Sequence, residues 1–313
     1  MKMLVTGGYG FLGNHICKKL ESFGIKEIKD INKNTNGFYR FNKKNFNIIS
    51  KNECLDLIEK FNPTQVIHAA ARVGGIGANK KYPADYFYEN VMMGINLIDS
   101  CKNKNVEKIT LIGTVCSYPN ITQVPFKESS LWDGYPEETN AAYGIAKKTL
   151  LTQAISYKEQ YGLNFNYLIP VNLYGIGDNF DEESSHVIPA LIKKFVHAKN
   201  NNLNFVEVWG TGNATREFLY VDDAAEAIVK STNKECVSLM NIGSEIEITI
   251  KQIVAMIKTF INYKGDIIFN SNYPDGQPRR CLDTTLSKKM LGDYAKTSLY
   301  DGLKKTIDWY CSK

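Results

Sequence analysis

Three glycines near the start of the chain constrain its fold more than any other feature. Gly7, Gly10 and Gly13 lie in the stretch VTGGYGFLG, after an apolar strand pattern at residues 3–6 and at the start of a helical pattern at residues 11–22. Glycine permits a tight turn there and a close approach of the backbone to a pyrophosphate, which the free N–H groups of the helix N-terminus can bind. In this strand–turn–helix context, the spacing predicts a dinucleotide-binding fold rather than an ordinary turn.

Apolar runs and helical patterns alternate along the first half of the chain. Short apolar runs predict further strands at residues 65–71, 108–113 and 165–170. Longer patterns with apolar residues on one face predict helices at residues 51–61, 83–103 and 139–161. Strands that alternate with helices are typical of a parallel sheet covered on both faces. We therefore predict an α/β fold with a Rossmann-type doubly wound parallel sheet.

The pattern loosens after about residue 172. Short strand and helix patterns mix there with YGIGDNFDEESS and SNYPDGQPRR, which are rich in turn-forming residues. We interpret residues 1–172 as the dinucleotide-binding domain and residues 173–313 as a smaller, mixed C-terminal lobe. The boundary is approximate, and the chain can cross between the two lobes. Asp222 and Asp223 are interpreted as helix caps.

The composition disfavours several classes of protein. No apolar run approaches the roughly eighteen residues that a membrane span needs. The net charge of +5 comes from dispersed lysines, without a basic stripe interleaved with aromatic residues, and this disfavours nucleic-acid binding. The seven cysteines form no CxxC pair and fit a reducing compartment, and the four histidines have no metal-ligand spacing. We therefore expect a cytoplasmic protein that has no metal site and no membrane or nucleic-acid partner.

A tyrosine and a lysine four residues apart form a second candidate site. Tyr143 and Lys147 lie in NAAYGIAKKT on a predicted helix and so share one face. A neighbouring ammonium favours the phenolate, which lets a tyrosine exchange a proton at neutral pH. The helix follows a strand ending at Gly113 and Thr114, whose hydroxyl can hold a carbonyl oxygen. With the glycine turn, this set resembles the extended form of the short-chain dehydrogenase/reductase superfamily, in which the C-terminal lobe holds a sugar nucleotide.

Longer stretches are similar to one family of that superfamily, the GDP-L-fucose synthases. They are AARVGGIGANKKYPADY, GTVCSYP, NLYGIGDNF, SSHVIPALIKKF, VWGTGNATREFLYVDD and PDGQPRR, in the family's order. The resemblance implies two reactions on a GDP-sugar with a keto group at C4, namely 3,5-epimerisation and reduction by NADPH. It implies that Cys116 and His186 exchange the protons at C3 and C5. It also implies that Tyr143 donates the proton of the reduction, while Lys147 lowers its pKa and Thr114 holds the carbonyl.

The same resemblance implies the residues that bind the cofactor and the substrate. Those for NADP are Gly7, Gly10, Phe11, Leu12, Gly13, Arg40, Ala70, Lys147, Pro170, Asn172, Leu173 and His186. Those for the GDP-sugar are Lys194, Trp209, Arg216 and Asp275. Relatives of this fold commonly dimerise through the helices that correspond to residues 83–103 and 139–161, so we expect a homodimer.

Three alternatives stay open at the level of sequence. Asp30 favours the free ribose hydroxyls of NAD, whereas Arg40 favours the phosphate of NADP. Lys194 stands where the family has an arginine, so a related GDP-6-deoxy sugar or a GDP-heptose is a second substrate class. A redox-neutral epimerase or dehydratase that keeps NAD bound is a third alternative. Taken alone, Cys116 is as compatible with a packed thiol as with catalysis.

Overall fold

The computed structural model describes residues 1–33, 35–102, 104–273 and 275–313. The strands are β1 (Lys2–Thr6), β2 (Gly37–Arg40), β3 (Gln65–His68), β4 (Lys108–Ile112), β5 (Asn164–Pro170), β6 (Asn172–Tyr174), β7 (Phe205–Trp209), β8 (Thr215–Tyr220), β9 (Met240–Ile242), β10 (Glu247–Thr249) and β11 (Asp266–Asn270). The helices are α1 (Phe11–Ser22), α2 (Lys51–Phe61), α3 (Ile76–Lys81), α4 (Pro83–Cys101), α5 (Ala141–Tyr161), α6 (Val187–Asn200), α7 (Val221–Thr232), α8 (Ile250–Ile261), α9 (Thr285–Leu291) and α10 (Leu299–Cys311). Within the described ranges, no helix combines the length and apolar character needed to cross a bilayer.

A six-stranded parallel sheet forms the centre of the molecule, in the order β2-β1-β3-β4-β5-β9. Its strands are almost continuously apolar and buried, as expected of a parallel sheet that has both faces covered. On one face α2 packs against α4 and α4 against α5, while α1 packs against α7 on the other. The predicted fold, a doubly wound parallel sheet, is therefore confirmed.

Three predicted elements differ from the structure by two or more residues at one end. The strand predicted at residues 65–71 ends at His68, because the alanines that follow leave the sheet and line a cleft. The helix α4 ends at Cys101, and residue 103 of the predicted helix lies outside the described residues. The helix α5 begins at Ala141, after a 3₁₀ turn over Glu138–Asn140. Apolar periodicity predicts where a helix or strand lies but not its first and last residues.

The later part of the chain builds a second apolar core. The strands β10, β8 and β6 form one sheet and β11 and β7 another, with α6, α8 and α10 packed against them. Two later elements nevertheless return to the central sheet, since β9 pairs with β5 and α7 packs on α1. The chain therefore crosses between the two cores, and the boundary between residues 172 and 173 stays a prediction.

The two acids at the start of α7 are not the caps that we predicted. The capping residue is Tyr220, and both acids lie in the first turn of the helix. Asp222 contacts Nδ1 of His15 at 2.5 Å, and Asp223 accepts hydrogen bonds from the backbone N–H and the hydroxyl of Thr297. They therefore tie α7 to α1 and to the C-terminal segment, contacts that a local capping rule does not include.

A buried carboxylate connects three segments next to the cleft. Glu217 on β8 is 0% exposed, and its carboxylate accepts the backbone N–H groups of Ser244, Glu245 and Leu282. Burial raises the pKa of Glu217, and these three hydrogen bonds oppose that rise. Removing the carboxylate would leave three buried donors without their acceptor, and each such loss is costly.

We expect Glu217→Ala to lower the free energy of unfolding by about 3 kcal/mol or more, because of those unsatisfied donors. Urea unfolding followed by circular dichroism measures this. Glu59→Ala is the control, since the Glu59 side chain is 57% exposed and makes a surface ion pair with Lys104. That control should change the free energy of unfolding by about 1 kcal/mol at most. A loss of similar size in both variants would contradict the role of Glu217.

Candidate functional site

The carboxyl ends of the central strands open onto one long cleft. Since β1, β3, β4 and β5 are parallel, the segments that follow them lie along the same edge of the sheet, where such folds bind ligands. The cleft has a volume of about 1490 Å³ and reaches the second core. It is lined by every predicted site residue except Arg40, namely Gly7, Gly10, Phe11, Leu12, Gly13, Ala70, Thr114, Cys116, Tyr143, Lys147, Pro170, Asn172, Leu173, His186, Lys194, Trp209, Arg216 and Asp275.

The glycine turn has the geometry of an anion-binding site. Gly7 has a φ of +67°, and a Cβ there would lie 2.7 Å from the backbone of Ala70. A Cβ on Gly13 would collide with the carbonyl of Gly7, so both positions require glycine. The capping residue Gly10 has no side chain to satisfy the first N–H groups of α1, and the first turn holds no acid. These free N–H groups border the cleft and fit the pyrophosphate of a dinucleotide.

Arg40 lies behind the glycine turn rather than on the cleft. Its guanidinium donates two hydrogen bonds to Glu27, at 3.0 and 3.3 Å, and one to Asn14 at 3.2 Å. The ring of Tyr9 covers it at 4.5 Å from the ring centroid. The predicted direct contact between Arg40 and a cofactor therefore competes with an ion pair inside the protein. Asp30, the alternative ribose ligand, is exposed and accepts hydrogen bonds from Asn32 within its own turn.

Tyr143 and Lys147 lie on the buried face of α5. Tyr143 is 8% exposed and Lys147 is 2% exposed, with the ammonium 6.0 Å from the centroid of the tyrosine ring. Burial lowers the pKa of Lys147 to about 8, so the ammonium is still mostly charged at pH 7. Burial raises the pKa of Tyr143, against a smaller opposing effect from its hydrogen bond with Thr114. Because burial dominates, the phenol stays protonated, as a proton donor must be. The lowering of the Tyr143 pKa by Lys147 stays a prediction.

Thr114 caps the 3₁₀ turn Val115–Ser117, which contains Cys116 and begins shortly after β4. The hydroxyl of Thr114 accepts a hydrogen bond from the N–H of Cys116 at 3.2 Å. The hydroxyl of Ser117 donates to the carbonyl of Gly144 at 2.9 Å, and a Cβ at Gly144 would collide with the carbonyl of Cys116. The glycine thus lets α5 pack directly on this turn and places Tyr143 beside it. The thiol of Cys116 is half-buried, so it is not sealed in the core.

His186 approaches the cleft from the other side. It is the capping residue of α6, and its carbonyl accepts the N–H of Ala190 at 3.0 Å, while its ring makes no capping hydrogen bond. Burial lowers the pKa of the His186 ring, so the imidazole is neutral at pH 7 and able to accept a proton. The loop before it is fixed by a hydrogen bond from the N–H of Gly75 to the carbonyl of Ser184.

The far end of the cleft carries the residues predicted for the GDP-sugar. Trp209 stacks on Tyr273 with ring centroids 4.4 Å apart, and the ammonium of Lys194 lies 4.9 Å from the Trp209 ring centroid. Arg216 donates to the carbonyl of Asp275 at 2.9 Å, while the carboxylate of Asp275 accepts from Thr211. Burial and a neighbouring arginine lower the pKa of Arg216 to about 10, which leaves it charged at pH 7.

Two buried charged residues of the cleft were not predicted from the sequence. Asp178 is 8% exposed, and burial raises its pKa to about 7; its Oδ2 has no hydrogen-bond partner among the described residues. Arg280 is also 8% exposed, and its Nη1 lies 3.6 Å from Sγ of Cys116. Both lie in stretches that carried the family resemblance, NLYGIGDNF and PDGQPRR. The sequence could have indicated these two residues only through the stretches that contain them. A stretch does not show which of its charged side chains is buried in the cleft.

The arrangement suits proton transfer around a carbonyl group. The hydroxyls of Thr114 and Tyr143 provide hydrogen bonds for a carbonyl oxygen, and the Tyr143 phenol can donate a proton to it. The Cys116 thiol and the His186 imidazole can exchange protons at the carbons beside that carbonyl. The glycine turn and the charged far end of the same cleft suit two phosphorylated ligands.

Comparisons with known proteins agree with this geometry. The chain matches the model of the NAD dependent epimerase/dehydratase family over residues 3–243. It is 35% identical to GDP-L-fucose synthase of Escherichia coli (strain K12), over 99% of this chain and 96% of that protein.

Solved structures resemble the fold over nearly its whole length. A GDP-6-OMe-4-keto-L-xylo-heptose reductase from C. jejuni superposes with a TM-score of 0.90 at 27% identity, covering 99% of this chain and 97% of that one. A GDP-L-fucose synthetase from Naegleria fowleri bound to NADP superposes with a TM-score of 0.88 at 26% identity, covering 99% and 94%. The chain therefore belongs to the NAD dependent epimerase/dehydratase family, in the branch of the GDP-L-fucose synthases.

Proposed function

We propose that this protein is an NADPH-dependent epimerase and reductase that converts GDP-4-keto-6-deoxy-D-mannose to GDP-L-fucose. The observation that carries the proposal is that Cys116 and His186 line the same cleft as Tyr143 and Lys147. A ketone reductase of this fold needs the tyrosine and the lysine, whereas a thiol and an imidazole add proton exchange at carbon. The identity of 35% to the E. coli GDP-L-fucose synthase supports the same activity.

The proposed chemistry centres on the keto group at C4 of the sugar. That group makes the protons on C3 and C5 acidic, and Cys116 and His186 remove and deliver them on opposite faces. Thr114 and Tyr143 bind the C4 oxygen, so the same hydrogen bonds stabilise the enolate during epimerisation and the alkoxide during reduction. Tyr143 then donates its proton to that oxygen, and the charge of Lys147 stabilises the resulting phenolate.

A nicotinamide dinucleotide bound in this cleft would supply the hydride for C4. Membership of an NAD dependent family, and the NADP bound to the Naegleria fowleri relative, support this class of cofactor. The free N–H groups at the start of α1, on Phe11, Leu12 and Gly13, would hold its pyrophosphate. Asn172 and Leu173, after the end of β5, would border the nicotinamide.

For the NADP form, the last residue of β2 and the residues after it are proposed to bind the additional phosphate. Arg40 contributes positive charge, although Glu27 neutralises part of it. Lys43 is exposed and lines the cleft three residues later, where its ammonium is accessible to a ligand. We therefore assign the larger share of phosphate binding to Lys43.

Replacing Lys43 by alanine should reduce kcat/KM for NADPH about fivefold to tenfold, the effect of losing roughly one exposed charge contact. It should leave kcat/KM for NADH unchanged, because NADH has no such phosphate. Steady-state kinetics with both cofactors measure the ratio. Lys44→Ala is the control, because Lys44 is also exposed but is not a lining residue of the cleft. Equal losses with NADPH and NADH would contradict the assignment.

The far end of the cleft is proposed to hold the GDP moiety. Trp209 is 56% exposed although it stacks on Tyr273 and lies near the Lys194 ammonium, so part of its aromatic surface is available to the guanine base. Lys194 and Arg216 supply positive charge for the diphosphate, and Asp275 holds the segment opposite Arg216.

Incubation of the purified protein with GDP-4-keto-6-deoxymannose and NADPH in deuterated water tests the proposed function. The expected product is GDP-L-fucose that carries deuterium at C3 and C5, identified by NMR. A product without deuterium at C3 and C5 would exclude the proposed epimerase activity. Tightly bound NAD+ without net consumption of NADPH would instead favour a redox-neutral enzyme.

A GDP-heptose is the second candidate substrate. The C. jejuni relative with a TM-score of 0.90 is a reductase of a GDP-4-keto-heptose, which favours this class. The lysine at position 194 also changes the phosphate contact relative to the arginine implied by the resemblance. Comparing kcat/KM for a GDP-4-keto-heptose and for the 6-deoxy sugar decides between them, because each proposal requires the higher value for its own sugar.

The protein is also proposed to form a homodimer through α4 and α5. The two helices pack against each other and expose Phe87, Tyr88 and Tyr161, which are 40%, 58% and 39% exposed. Aromatic side chains that remain exposed on adjacent helices favour burial against a second copy of the same surface.

A further inference from the structure

A buried guanidinium contacts the thiol of Cys116. The Nη1 atom of Arg280 lies 3.6 Å from Sγ, across 164 residues of sequence. Arg280 itself is 8% exposed, so it is not a mobile surface charge that happens to lie nearby. A cation this close to a cysteine favours the thiolate, which is the form that accepts a proton or attacks an electrophile.

The position of Arg280 is held from two directions. Its Nε donates to Oε1 of Gln277 at 3.1 Å, and the amide of Gln277 donates to the carbonyls of Pro119 and Asn120. Its own carbonyl accepts the N–H of Glu217. The adjacent Arg279 differs, since its side chain is 59% exposed and pairs with Glu247. The chain therefore turns one arginine of the pair toward Cys116 and the other toward solvent.

The surroundings of this contact are positively charged overall. Arg216 is near enough for the charge of Arg280 to lower its pKa, and Cys116 acts on Arg216 in the opposite direction. The charge of Arg280 lowers the pKa of the nearby Glu137 carboxylate. That carboxylate accepts its hydrogen bonds from Thr139 and Asn140. Two guanidiniums thus lie near the thiol, with the neutral phenol of Tyr143 beside it, while the Glu137 carboxylate lies near the two guanidiniums.

We infer that Arg280 is the positioning residue of Cys116, and that its guanidinium holds the sulfur in place and stabilises its thiolate form. Arg280 acts through Cys116 and does not itself exchange protons with the sugar. The inference rests on the proposed role of Cys116 in epimerisation. Its central test needs no substrate, however, so it can fail or succeed independently of the proposed function.

The test is the rate of alkylation of Cys116 in the resting enzyme at pH 7. The reagent is iodoacetamide, which is neutral and so is not itself attracted by a guanidinium. Peptide mass spectrometry separates Cys116 from the other cysteines, and labelling of Cys236 serves as an internal standard. We expect Arg280→Gln to slow alkylation of Cys116 about tenfold, and Arg280→Lys to restore most of the rate because it keeps the charge. Arg279→Gln is the matched control and should leave the rate unchanged.

Several outcomes would overturn the inference. An unchanged rate of Cys116 alkylation in Arg280→Gln would show that Arg280 does not stabilise the thiolate. Equal slowing in Arg280→Lys and Arg280→Gln would indicate a packing role. Weaker binding of GDP in calorimetry with unchanged alkylation would assign Arg280 to the diphosphate. If Arg280→Gln does not fold, the wild-type protein decides, because half-buried Cys116 should still react at least as fast as free N-acetylcysteine, and a tenfold slower reaction would contradict the inference.

Discussion

Tyr143→Phe is expected to lower kcat for reduction of the C4 ketone by about 10²-fold to 10⁴-fold, the usual contribution of a positioned general acid. The substitution removes only the hydroxyl, so the packing of the ring on α5 is kept. Because burial raises the pKa of Tyr143, its hydroxyl is protonated at neutral pH and is the group able to donate to the C4 oxygen. Consumption of NADPH and the yield of reduced sugar measure the loss.

The same variant separates the two halves of the reaction. If Cys116 and His186 perform the epimerisation, Tyr143→Phe should still incorporate deuterium at C3 and C5, more slowly than the wild type because one hydrogen bond to the enolate is lost. Tyr118→Phe is the control, since it removes a buried hydroxyl that donates to Asn241 away from the cleft. Normal reduction by Tyr143→Phe would exclude it as the proton donor.

Cys116→Ser and His186→Asn are expected to have the opposite effect. Each should reduce incorporation of deuterium at C3 and C5 by about 100-fold or more, because a serine hydroxyl and an amide do not exchange protons with carbon near neutral pH. Some direct reduction at C4 should remain, since Thr114, Tyr143 and Lys147 are intact. The product would then be a GDP-sugar without inversion at C3 and C5, which NMR distinguishes from GDP-L-fucose.

Cys236→Ser is the matched control for the cysteine variant, because Cys236 is also half-buried and free but lies outside the lining of the cleft. It should incorporate deuterium at the wild-type rate. Exchange at the wild-type rate in both Cys116→Ser and His186→Asn would contradict the assignment of this pair. Loss of exchange and of reduction together would mean that Cys116 supports the whole site, for example by binding substrate.

The fold was predictable because its determinants are local. The turn at Gly7, Gly10 and Gly13 joins a strand to a helix within a dozen residues, and each pattern can be recognised without knowing the rest of the chain. The predicted ends were less accurate, as with β3, which ends at His68 because the alanines after it line the cleft. The last residue of such a strand depends on which residues leave the sheet to line the cleft. Apolar periodicity does not show this.

The residues that line the cleft could be named from the sequence, because stretches such as AARVGGIGAN and SHVIPAL carried the family resemblance. The electrostatics of the cleft were not predictable. Burial raises the pKa of Tyr143, and the size of this effect depends on how completely α5 is covered, which the spacing of Tyr143 and Lys147 does not show. The expected free charge of Arg40 is partly neutralised by Glu27, thirteen residues earlier.

The position of Cys116 follows from local sequence pattern, whereas its contacts follow from tertiary packing. Its position after β4, on the ligand-binding edge of the sheet, follows from strand order and from the motif around it. The contact with Arg280 joins segments 164 residues apart, and no spacing rule distinguishes Arg280 from its exposed neighbour Arg279. Turns and periodicities depend on neighbours along the chain, so sequence is sufficient for them. Burial and charge depend on neighbours in space, and these exist only after the two cores have packed.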